Sequence, residues 1–89
     1  MAKRNKLEIM KDIMEIIAGH KNSIKPTPLL RQSNMSSTRF KDYFEEMVGK
    51  GFVREVNEGD GKRIVLTNKG YKFLEKYKTI ISFIDEFEL

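Results

Sequence analysis

Apolar positions recur at helical spacing over residues 5 to 18, where Leu7, Ile9, Met10, Ile13, Met14, Ile16 and Ile17 alternate with Glu8, Lys11, Asp12 and Glu15. A period near 3.6 residues gathers the first set onto one face, so a helix packed by that face is expected. Gly19, just past the last periodic residue, suits the left-handed position that ends a helix, and a polar turn follows. Ser23, Ile24 and Lys25 read as a short extended segment. Thr27 before Pro28 predicts an N-cap with proline at the first helical position, hence a short second helix from Pro28 to Gln32 with Leu29 and Leu30 inward.

Ser36 is placed to cap a third helix through its side-chain oxygen. In that helix Phe40, Tyr43, Phe44, Met47 and Val48 form one apolar stripe, which leaves Ser37, Thr38, Lys41 and Glu45 outside. Gly51 ends it. Two β-rich runs, residues 52 to 56 and 63 to 66, are joined by residues 57 to 62, a hairpin whose Gly59 and Gly61 are expected at positive φ. Thr67 can cap a last helix reaching about residue 88, and Gly70 in its first turn permits close approach of another element. Phe73, Tyr77, Ile80, Ile84 and Phe87 then alternate spacings of four and three, a heptad seam widened by Leu74, Ile81 and Leu89. At about 1.5 Å per residue such a helix is about 32 Å long, so its far half is expected to overhang a small body.

Helix, short strand, short helix, capped helix, hairpin and final helix is the element order of a winged helix-turn-helix domain, a mainly α fold with a small β component. With 89 residues the chain fills one core. Residues 1 to 66 are expected to form the body, and residues 67 to 89 an amphipathic helix continuous with it.

Composition narrows the chemistry. The chain is 39% apolar and 34% charged, with a mean hydropathy of -0.51, as expected of a folded, soluble chain. It holds no run of about 18 apolar residues, and its N-terminus is charged where a secretory signal would be uninterrupted, so a cytoplasmic, nucleoid-associated location is expected. No cysteine and a single histidine, His20, argue against disulfides and zinc clusters, and neither a metal nor a cofactor is expected. The chain shows no nucleophile with a partner base at a recognisable spacing and no phosphate loop of the glycine-lysine-serine kind, which argues against an enzyme.

Charge is segregated. Residues 1 to 78 carry 17 basic and 10 acidic side chains, a balance of +7, whereas residues 79 to 89 carry three acidic ones and no Lys or Arg. A basic body with an acidic tail and a pI near 9.4 is the electrostatic footprint of a polyanion binder. The candidates to touch DNA are Ser36, Ser37, Thr38, Arg39 and Lys41 at the start of the third helix, with Arg39 able to grip a guanine edge by two bonds. Arg54, Lys62 and Arg63 on the hairpin could follow a phosphate strand, and Lys3, Arg4 and Lys6 could form a loose arm.

Lys50-Gly51-Phe52-Val53 at the end of a capped helix, then a hairpin, then Leu66-Thr67-Asn68-Lys69-Gly70 leading into a long amphipathic helix, resembles the small archaeal winged-helix DNA-binding proteins of about ten kilodaltons. The resemblance implies double-stranded DNA as partner, a role in transcription regulation or nucleoid organisation, and an antiparallel homodimer through a C-terminal coiled coil. Compared with those proteins the third helix begins with fewer arginines. The seam argues for a dimer independently: Phe73, Tyr77, Ile80, Ile81, Ile84 and Phe87 are the candidate dimerisation residues, and a three-helix body cannot cover all of them. The alternative is a winged helix used for protein assembly, with the acidic, apolar tail docking a different partner.

Overall fold

The computed structural model describes residues 5–89. Four helices and a hairpin follow in order: α1 (Lys6–Gly19), α2 (Pro26–Ser33), α3 (Ser37–Gly49), β1 (Val53–Glu58), β2 (Gly61–Leu66) and α4 (Asn68–Glu86). The Asn5 side chain caps α1 by accepting from the Glu8 backbone N–H at 2.8 Å. Ile9, Met10, Ile13, Met14 and Ile17 of α1 are buried, and Leu29, Phe40, Met47, Val53, Ile64 and Leu66 close over them, with Ile24 at the edge. Met35, Phe73 and Leu74 pack against this core half-buried. Three described methionines are fully inside it, where an unbranched side chain fills irregular gaps.

Several boundaries depart from expectation. Gly19 is not left-handed; α1 runs through it to a cap at His20, and the positive φ values fall on Lys21 and Asn22, at 57° and 58°. Helix α2 starts two residues before the predicted Pro28. Pro26 takes the first helical position, where its fixed φ is favourable and its missing N–H costs nothing, and the extended Lys25 before it is the conformation proline imposes on its predecessor. Thr27 is therefore inside the helix and caps nothing. The strands are also longer than predicted, pairing from Val53↔Leu66 to Glu58↔Gly61, so the loop shrinks to Gly59 and Asp60. Of the two hairpin glycines only Gly61 has positive φ, 123°.

The extended segment before α2 joins the sheet. Ile24 and Ile64 exchange both backbone bonds, at 3.2 and 2.8 Å, so β2 has a neighbour on each side. Asn22 fixes the base of β2: its side chain accepts from the Leu66 N–H at 2.7 Å and donates to the Leu66 carbonyl at 3.4 Å. Its left-handed backbone is one that asparagine tolerates better than most residues. Replacing Asn22 by alanine is expected to cost about 2 kcal/mol in chemical denaturation, from the orphaned Leu66 amide and the φ penalty. Hydrogen exchange at Leu66 should accelerate selectively, and Asn22→Gly, which relieves only the backbone, should fall between alanine and the native protein.

The ends of α3 and α4 are tied together. Gly51, at φ 80°, ends α3, with the Phe52 N–H bonding back to the Met47 carbonyl at 2.9 Å. Thr67 caps α4 by accepting from the Gly70 N–H at 3.1 Å, while its hydroxyl reaches the Gly51 and Phe52 carbonyls. Lys69 donates to the Lys50 carbonyl at 2.7 Å. Gly70 is buried against the Phe52 carbonyl, the close approach expected of it.

Candidate nucleic-acid interface

Ser36 caps α3 as anticipated, accepting from the Arg39 backbone N–H at 3.3 Å. The helix buries Phe40 and Met47 and half-buries Tyr43 and Phe44, with the Phe40 and Phe44 rings stacked at 5.6 Å. Val48, expected on the buried stripe, is exposed at its edge. At its start Ser36, Ser37, Thr38, Arg39 and Lys41 are all exposed.

Helical geometry then divides them. Two residues apart means about 200° of rotation, so Arg39 and Lys41 stand on opposite flanks of the outer face. Arg39 lies over the Tyr43 ring, 6.0 Å from its centroid, and Lys41 pairs with Glu45 at 3.9 Å. Thr38, Asp42 and Glu45, at i, i+4 and i+7, run down the centre between them. Asp42 was not counted in reading the sequence, though this spacing would have found it. An acidic centre repels phosphate and can accept from a cytosine amino group, so α3 is suited to meet a duplex by its first turn and its flanks.

The hairpin separates the other three cations. Partners across an antiparallel pair share a face, and successive residues alternate. By the register, Arg54, Val56, Arg63 and Val65 lie on one face and Glu55, Lys62 and Ile64 on the other. Lys62 accordingly pairs with Glu55 at 3.4 Å, away from Arg54 and Arg63. Arg63 pairs with Asp60 at 3.2 Å. Arg54 is exposed and makes no ion pair among the described residues. Of the expected basic arm, Lys3 and Arg4 lie outside the described residues, and Lys6 is the first residue of α1, paired with Glu46 on α3.

Along α4 the six seam residues divide by depth. Phe73 is half-buried with its ring 5.1 Å from Phe52, and Tyr77 stacks on Phe73 at 6.4 Å with the Lys11 ammonium 5.5 Å from its ring centre. These two already serve the protomer's own packing. Beyond them Ile80, Ile81 and Phe87 are exposed and Ile84 is half-buried. Phe83, absent from the predicted seam, is 54% exposed and packs on Phe87 at 4.9 Å. Leu7, expected inside, is 53% exposed and lines an open apolar groove of about 440 Å³ with Phe52, Phe73, Tyr77 and Ile80, rimmed by Lys69, Lys72 and Lys76. No group of three or more His, Cys, Asp or Glu among the described residues could hold a metal, and no described helix is long and apolar enough to cross a membrane.

The sequence model of the winged helix-turn-helix family matches residues 3–85. No curated protein matches the chain by sequence. Among solved structures, Sso10a-2, a DNA-binding protein from Sulfolobus solfataricus, superposes with a TM-score of 0.75 at 20% identity, covering 96% of this chain and 86% of that one. F93 from STIV, a winged-helix DNA-binding protein, gives 0.73 at 16% identity, covering 89% and 91%. F-93 from SSV1 gives 0.64 at 28% identity, covering 88% and 91%.

Proposed function

Since the chain belongs to the winged helix-turn-helix family, we propose that it binds double-stranded DNA as a homodimer, acting as a transcription regulator or a nucleoid-associated protein. The observation that carries this reading is the start of α3, where Ser36 to Arg39 and Lys41 are exposed while Phe40 and Met47 are held in the core. Turns of this kind meet groove edges and phosphates with their N-terminal residues. In this reading Ser37, Thr38, Arg39 and Lys41 reach the duplex, Ser36 orders the turn, and Arg54 and Arg63 contact the backbone from the hairpin. Lys62, on the other hairpin face, is the weakest of the candidates. Action is by occupancy of the duplex in the cytoplasm, without chemistry.

Residues 1 to 66 would form the DNA-binding body and residues 67 to 89 the dimerisation arm. The exposed Ile80, Ile81, Phe83 and Phe87 support pairing of two arms. An antiparallel arrangement would lay the acidic Asp85, Glu86 and Glu88 of one copy beside Lys69, Lys72 and Lys76 of the other, which favours it over parallel pairing.

A mobility-shift titration tests the reading. With about four to six phosphate contacts per protomer, log affinity should fall with log salt at a slope of about -4 to -5 per protomer. Arg39→Ala should weaken binding by about 10- to 100-fold, the cost of one base or phosphate anchor. Loss confined to one duplex sequence would make Arg39 a base reader, and uniform loss a backbone contact. A slope near zero for the native protein removes DNA from the account, and a stable complex with a different protein would then support the assembly role.

A further inference from the structure

Lys25 is not one of the candidate DNA contacts, yet the fold sets it beside one of them. The antiparallel bridge of Ile24 to Ile64 brings the following residue, Lys25, alongside Arg63, which lies on the hairpin face that also carries Arg54. Like charges in neighbouring cross-strand positions repel. The structure resolves this with one atom: the Lys25 ammonium and the Arg63 guanidinium each lie 3.2 Å from Oδ2 of Asp60, in the hairpin turn. The two cations, Lys25 foremost, hold the Asp60 carboxyl below its ordinary range. All three side chains reach solvent, at 44%, 30% and 51% exposure, and ion pairs between such groups are readily exchanged.

We propose that Lys25 and Arg63 form a phosphate site that Asp60 occupies in the free protein, so that the hairpin carries its own competitor for the DNA backbone. The inference rests on DNA binding as read above. Two donors converging on one carboxylate oxygen are arranged to converge on a phosphate oxygen in the same way, and a phosphodiester brings the negative charge that the two cations require. On binding, the phosphate displaces Asp60, whose side chain turns to solvent. The protein thereby holds its affinity below what its cations could deliver, and the row of Arg54, Arg63 and Lys25 becomes available as a unit only against a duplex.

The experiment is a duplex titration at several salt concentrations with the full chain and its Asp60→Asn, Lys25→Gln and Glu58→Gln variants. Asparagine suits the turn as aspartate does, so Asp60→Asn should fold, as circular dichroism would show. It should bind about 3- to 10-fold tighter at the native salt slope, because the same phosphate is contacted in both proteins and only its competitor is removed. Lys25→Gln should bind more weakly with a shallower slope, and adding Asp60→Asn to it should recover little. Glu58 is exposed, lies two residues from Asp60 and contacts neither cation, so Glu58→Gln removes the same charge without opening the site. Equal gains from Glu58→Gln and Asp60→Asn would overturn the proposal, reducing it to net charge. Native affinity in Asp60→Asn, or native affinity and slope in Lys25→Gln, would overturn it as well. Failure of the native protein to bind any duplex would instead sink the functional reading itself.

Discussion

Gly70→Ala is expected to lower the thermal midpoint by about 5–15 °C, a net loss of about 1–2 kcal/mol for a domain of this size. A Cβ at Gly70 would fall onto the Phe52 carbonyl oxygen and lie 3.3 Å from both the Phe52 carbonyl carbon and a Leu66 methyl. The oxygen is backbone, and it cannot swing aside. It accepts from the Thr67 N–H at 3.0 Å and from the Thr67 hydroxyl at 3.1 Å, so displacing it breaks the junction of α3, β1 and α4 at once. Overpacking of this kind costs about 1–3 kcal/mol and sometimes more, against a gain of about 1 kcal/mol in helix propensity. Gly49→Ala supplies the contrast, because that glycine is also helical and has nothing within 4 Å of a new Cβ. It should be neutral or slightly stabilising. A Gly70→Ala protein that melts with the native one would show that α4 can slide outward without penalty.

Ile80→Glu is the second large effect, and it should appear in assembly with the protomer fold intact. Ile80 is 56% exposed, so a charge there leaves the core untouched and the helical signal unchanged. In a paired seam each isoleucine would contribute about 1.5–3 kcal/mol of burial, and a dimer loses two of them. The dissociation constant should therefore rise by at least about 100-fold. Sedimentation equilibrium of the native protein should give a dimer at micromolar concentration and of the variant a monomer. DNA binding should weaken in step, since two heads on one duplex gain from effective concentration and separate heads do not. A native protein that sediments as a monomer at high micromolar concentration overturns the dimer. An Ile80→Glu variant that remains dimeric would move the interface away from this stretch of α4.

How far the chain could be read depended on how local each interaction is. Ser36 and Thr67 as caps, Gly51 as the end of α3 and the buried stripe of α3 were legible because each rests on bonds or contacts three or four residues apart. The close approach at Gly70 was legible as a need for space, though not which carbonyl fills it. Helix α2 was misplaced by two residues because two prolines compete for the same start, and both positions are locally acceptable. A periodic count puts Leu7 on the buried stripe of α1 and leaves Phe83 off the seam of α4, yet both are about half exposed, because the surrounding elements decide what is covered. The same applies to the charges. Local pattern was enough for the element order, for the caps of α3 and α4 and for a basic body with an acidic tail. That Lys62 faces away from Arg54 and Arg63, and that Lys25 and Arg63 meet on Asp60, came from the packing of distant segments. The physical reason is that pairing across strands is set by register, and register is fixed by the burial of Ile24, Val53, Ile64 and Leu66 in a shared core, a contact between residues too far apart in the chain for any local pattern to record.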